Sequence, residues 1–242
     1  MPRVVSPTHV ATYPTTDSAP PPQDSLFWTL WHSKEVQVLA QKALATSYIQ
    51  GIKAGTLNPD RYGAYNIADA YYCYKGADDY QVAAARAEDR QLKAYLEAKH
   101  RSYESYNAYF LKHWYVKDAA AVTPPQAMRD YAELESNVVR NESPIYALIA
   151  MIPCEYLWPW LANQITDGDV PGNVYRGWIS DNNSFHGAYK IGNFLHAFMV
   201  ANPGAVDPNK AQNIYSSGVG FEYLNFANAG LNFGDPDYVV ER

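Results

Sequence analysis

The sequence predicts an all-α fold: a single bundle of about seven long helices. Three observations carry this. Apolar residues recur at helical spacing through each long segment. The breaks between segments carry Pro, Gly or a short polar cap. No segment keeps the alternation of a strand.

The elements follow in order. Residues 1–23 are rich in Pro, Ser and Thr, end in Ala19-Pro-Pro-Pro22, and read as a flexible arm. A single domain spans residues 24–242. Asp24 and Ser25 can cap a first periodic segment carrying Leu26, Phe27, Leu30, Trp31, Val38, Leu39 and Leu44, with Gly51 and Gly55 punctuating its end. Asn58-Pro59 is a helix start, a cap followed by proline in the first turn. That helix carries Tyr62, Tyr65, Ala68, Tyr71 and Tyr72, is open to a bend at Gly76, and continues to about Asp89. Residues 91–115 form the next helix. Thr123-Pro124-Pro125 breaks the chain and starts another, to about Val139. Ser143-Pro144 caps an apolar helix that reaches about Ile165 and holds Pro153 and Pro159. A proline inside a helix removes one N–H, and it biases the residue before it away from α geometry, so local distortion is expected at Trp158. Residues 167–172 are a loop. A helix from about Val174 breaks near Asn182-Asn183 and resumes over 185–200. Asn202-Pro-Gly is a turn, and Asp207-Pro208 starts the last long helix, to about Ala229. Short connections between long helices favour antiparallel neighbours.

Composition narrows the function. The net charge is −6 and no Lys/Arg cluster stands out, which argues against a nucleic-acid role. No apolar stretch has transmembrane length, and the first residues lack the pattern of a secretory signal. Two cysteines, Cys73 and Cys154, fit a reducing, cytoplasmic setting rather than a disulfide framework. The 21 tyrosines suit a pocket that mixes apolar rings with hydroxyls. No metal-ligand spacing, nucleotide-binding loop or serine-hydrolase elbow is present, so neither a metal nor a cofactor is expected.

Three residues remain as candidates for chemistry. Cys154 follows Pro153 directly; it is either a nucleophile beside a backbone defect or a small core residue. Asp69 shares a helix face with Tyr72 in a mostly aromatic stretch, and either faces a polar pocket or lies on the solvent side. Glu222 is a single acid in Phe221-Glu-Tyr-Leu-Asn-Phe226, open to the same two readings.

Five blocks in order carry a resemblance: Tyr48-Ile-Gln-Gly-Ile-Lys-Ala-Gly-Thr-Leu57, Tyr65-Asn-Ile-Ala-Asp-Ala-Tyr-Tyr72, Met151-Ile-Pro-Cys-Glu-Tyr-Leu157, Tyr175-Arg-Gly-Trp-Ile179 and Phe221-Glu-Tyr-Leu-Asn-Phe226. Over about residues 26–230 the chain resembles the TenA/THI-4 family, which includes the thiaminase II enzymes. The resemblance implies a haem-oxygenase-like helical fold without haem, in a homo-oligomer (dimer or tetramer). It implies hydrolysis of thiamin or of its aminopyrimidine breakdown products, with Cys154 as nucleophile and Glu222 as proton donor and acceptor. Asp69 would hold the aminopyrimidine edge, and Tyr72 and Tyr131 would line the pocket. Trp158 and Asn182 stand where the family has tyrosines, and the Gln before the family's Asp is Ala68. The expectation is therefore a reshaped pocket, tighter near Cys154 and wider near Asn182, with thiamin itself a poor substrate. The other readings are a binding protein of the same fold for a different aromatic ligand, and a cofactorless oxidase or oxygenase on this scaffold.

Overall fold

The computed structural model describes residues 13–231 and 234–240, and every regular element among them is helical. Ten α-helices follow in order: α1 (Leu26–Trp31), α2 (Lys34–Leu44), α3 (Ser47–Ala54), α4 (Pro59–Arg86), α5 (Arg90–Trp114), α6 (Gln126–Asn141), α7 (Tyr146–Gln164), α8 (Arg176–Asp181), α9 (His186–Ala201) and α10 (Pro208–Ala227). Seven of them have eleven residues or more.

Local chemistry sets the boundaries. Asn58 accepts from the Asp60 N–H ahead of Pro59, Asp89 accepts from Gln91 and Leu92, and Asp207 accepts from Asn209 and Lys210. Each satisfies donors that have no partner inside the helix. The first periodic segment is three helices rather than one. Ser33 accepts from the Val36 N–H and Thr46 from the Ile49 N–H, so a cap restarts the chain twice. The apolar spacing continues across both restarts, which hides them in the sequence. Gly55 closes α3 in the left-handed region at φ +69°.

α4 stays helical through Gly76. A Cβ there would lie 2.8 Å from the Tyr103 ring, so the glycine lets α5 approach closely. α7 likewise runs through both prolines without a break, and no helical break falls at Trp158. Its apolar residues point all round, as suits a helix in the centre of a bundle. α4 packs along α5 and α6, while α10 packs on α7, α2 and α6, so α7 and α10 form the middle of the molecule.

The expected arm covers residues 1–23. Residues 1–12 lie outside the described residues. From Tyr13 the chain is held against the bundle: Tyr13 is buried, the Trp28 indole donates to the Pro21 carbonyl at 2.9 Å, and the Asn193 amide donates to the carbonyls of Asp17 and Ala19.

Candidate active site

The α4 sequence places Tyr65, Ala68, Asp69, Tyr72 and Cys73 on one buried stripe. α7 brings Cys154, Glu155, Trp158 and Pro159 towards it. Asp69, Tyr72 and Cys73 together with the α7 residues form the floor of a cavity of about 510 Å³. Its outer wall is α5, through Ser102, Tyr103, Ser105, Tyr106 and Tyr109, and the facing rim is Asp181, Asn182 and Ser184 around the end of α8. The volume suits a small organic molecule. No Lys or Arg lies on this wall, and Glu155 is paired to Lys99 on α5.

Cys154 is half-buried on the cavity wall. Burial, with Glu222 and Asp69 adding to it, pushes its thiol well above the usual range. A resting thiolate is thus disfavoured, and the thiol needs a base to take its proton. Glu222, from α10, sits immediately behind the wall and is 2% exposed. Burial raises its carboxyl to about 8; the Trp158 indole, the Cys154 thiol and the Tyr131 hydroxyl beside it partly offset the rise. The Trp158 Nε1–H donates to Glu222 Oε2 at 3.1 Å. Burial likewise raises Asp69 to about 7. A carboxyl in this range can both accept and return a proton near neutrality.

α7 and α10 can bring Cys154 and Glu222 together because Gly218 lies at their crossing. A Cβ on Gly218 would sit 2.7 Å from the Pro153 ring. Pro153 precedes the cysteine, and Gly218 lies one helical turn before the glutamate.

The other expected residues fall as follows. Tyr72 is on the wall, and its hydroxyl donates to Glu135 Oε1 at 2.8 Å. Tyr131 is not on the wall; it stacks behind Tyr72, centroids 5.0 Å apart, and is fully buried. Trp158 lines the floor, and its N–H donates to Glu222. Asn182 is on the rim, but its amide N–H is turned back to the Trp178 carbonyl at 2.8 Å.

Two features were not foreseen. The α5 wall was hidden because Tyr103, Tyr106 and Tyr109 recur at helical spacing and look like core. Glu135 was hidden in a charged stretch, Arg129-Asp-Tyr-Ala-Glu-Leu-Glu135. A signal existed: Met128, Tyr131, Ala132, Glu135 and Val139 form one i, i+3/i+4 stripe, which carries Glu135 into the core.

Among the described residues, no group of three or more His, Cys, Asp or Glu is arranged to hold a metal ion. No helix among them is long and apolar enough to cross a membrane.

No protein-family profile matches the chain. No curated protein matches it either. Solved structures do. A TenA homologue from P. horikoshii OT3 superposes with a TM-score of 0.71 at 19% identity, covering 85% of this chain and 98% of that one. A TenA homologue from Pyrococcus furiosus gives 0.71 at 14% identity, over 84% and 99% of the two chains. A protein from Sulfolobus solfataricus P2, provisionally described as a TenA-like thiaminase, gives 0.61 at 17% identity, over 84% and 94%. At these identities the likeness defines the fold: the chain has the all-α fold of these TenA homologues.

Proposed function

We propose that the protein is a hydrolase that removes an amine from a flat aminopyrimidine-type heterocycle through a covalent adduct on Cys154. The observation that carries this is the pairing of Cys154, on the cavity wall, with the buried Glu222 carboxyl behind it. A binding protein needs neither group. The described thiaminase character of one structural neighbour agrees with it.

The chemistry follows from the two groups. The Cys154 sulfur adds to a ring carbon, and Glu222 relays the thiol proton to a ring nitrogen. The exocyclic C–N bond breaks, and Glu222 relays that proton to the departing amine. Water then adds to the exocyclic carbon, its proton returning to the ring. The C–S bond breaks and the thiol is restored. The balance is one water consumed, one alcohol and one amine released. Asp69 faces the cavity as an acceptor for ring amino groups, and the aromatic walls suit a flat ring.

The turned-away amide of Asn182 favours the second reading, a binder of another aromatic ligand, because one polar contact to the ligand is missing. Ammonia release from 4-amino-5-aminomethyl-2-methylpyrimidine, with intact-protein mass spectrometry, separates the two. Turnover that Cys154→Ser abolishes, with the Cys73→Ser variant still active, supports the hydrolase. Ligand retention without turnover supports the binder. Equal turnover by wild type and Cys154→Ser would show that the cysteine is only packing.

A further inference from the structure

Glu135 is an expensive residue in its place. It is 0% exposed on the apolar stripe of α6, and its Oε2 has no hydrogen-bond partner. The titratable groups acting on it are Tyr72 and Asp79 from α4, Tyr131 from its own helix and Glu222 from α10; none is a cation. A methionine there would fill similar space at no electrostatic cost. In its one well-formed hydrogen bond the carboxyl accepts the Tyr72 hydroxyl at 2.8 Å, with the Tyr131 hydroxyl beside it.

That bond has a consequence for the cavity. A phenol has one proton. With it committed to Glu135, Tyr72 offers only lone pairs to anything in the cavity. Asp69, one helical turn earlier on the same face, is also an acceptor. We propose that Glu135 is a positioning residue that makes Tyr72 an acceptor, so that Asp69 and Tyr72 together select a heterocycle edge carrying two N–H donors. The inference rests on the cavity being the substrate site.

Stacking keeps the arrangement in place. Tyr131 lies against Tyr72 at 24° between ring planes and is backed by Phe221, so the Tyr72 ring has little freedom to turn.

The test is calorimetric binding of two unreactive probes to the full chain: 4-amino-2,5-dimethylpyrimidine, and 2,5-dimethylpyrimidine, which lacks the amino donor. Glu135→Met should weaken the first by about tenfold, as for a lost buried hydrogen bond, and leave the second nearly unchanged. Glu135→Gln keeps an acceptor oxygen and should restore most of the discrimination. In a Tyr72→Phe background, Glu135→Met should add nothing, since its effect passes through that hydroxyl. Thermal stability of Glu135→Met should hold or rise, a pairing of firmer fold with poorer recognition that a structural role would not give. Equal losses for both probes, or an undiminished loss in the Tyr72→Phe background, would overturn the proposal. Should Glu135→Met not fold, Tyr72→Phe alone must show the amino-selective loss, and its absence overturns the proposal equally. A wild type that binds neither probe defeats the functional reading, and this inference with it; that arm tells the two failures apart.

Discussion

Glu222 and Asp69 are carboxyls that the fold holds in their neutral range, at about 8 and about 7. Both sit above their ordinary values of 4.5 and 3.8, and burial is the first cause for each. Each pH unit of upward shift costs the charged form about 1.4 kcal/mol in the fold relative to the unfolded chain. Between the two values the folded state binds more protons than the unfolded one, so stability falls as pH rises. The contribution is whole below about pH 4 and is lost as pH rises through about 7 and 8. The melting temperature should therefore drop between pH 5 and pH 9, and Glu222→Gln should flatten that slope; an identical slope in the variant would contradict the assignment. Activity runs the other way. In the proposed reaction Glu222 receives the thiol proton and must be ionised to do so, so kcat/KM should climb through about pH 8. Trp158→Phe removes the indole donor to the carboxylate and leaves the ring. The Glu222 pKa then moves up, and the rising limb should shift to higher pH with it; a limb that stays in place would show that the 3.1 Å contact does not act on the carboxylate.

At the scale of elements, the site depends on the approach of α7 to α10. Gly218 sets that distance, since any Cβ there meets the Pro153 ring at 2.7 Å. Pro153 cannot swing aside as a long side chain would. Gly218→Ala should therefore separate the helices, at about 1–3 kcal/mol of stability. It should also lower kcat more than KM, because Cys154 and Glu222 lie next to the crossing while Asp69 and Tyr72 lie on α4. Chemical denaturation and steady-state kinetics check both; an unchanged kcat would show that the crossing has slack. The same elements explain what the sequence made legible. Asn58-Pro59 and Asp207-Pro208 announced α4 and α10 because capping is local chemistry. Cys154, Asp69 and Glu222 stood out as odd residues in apolar runs. Ser33 and Thr46 were passed over because the apolar period runs through their restarts. Glu135 was passed over because neighbouring charges made its stripe look solvated. Pairings between helices, such as Trp158 with Glu222 or Tyr72 with Glu135, depend on crossings that periodicity does not encode.

Over the whole molecule, residues 13–25 ahead of α1 pack against the bundle. Pro, Ser and Thr form no helix here, yet extended chain can still be held by side chains that meet it. Tyr13 inserts edge-on against Phe194 and Phe198, centroids at 5.3 and 5.7 Å. Its N–H donates to Gln91 Oε1 at 2.7 Å, and its hydroxyl donates to Asp89 and accepts from Asn202. The segment thus ties α5 to α9, between which Tyr95 and Phe194 also stack, centroids 4.1 Å apart. Gly192 on α9 gives room for this: a Cβ there would lie 2.6 Å from Pro21 and 2.7 Å from Phe27. Removing the Tyr13 ring leaves a hole between two phenylalanines and takes one hydrogen bond each from Asp89 and Asn202. Tyr13→Ala should cost about 3 kcal/mol, as for other large buried aromatic truncations. None of its contacts belongs to the cavity wall, so kcat/KM per folded molecule should hold below the new melting point. Urea unfolding measures the first quantity and active-site-normalised kinetics the second. A variant as stable as wild type would mean that the segment only rests on the surface, whereas one that keeps its stability and loses turnover would mean that the strap controls the site.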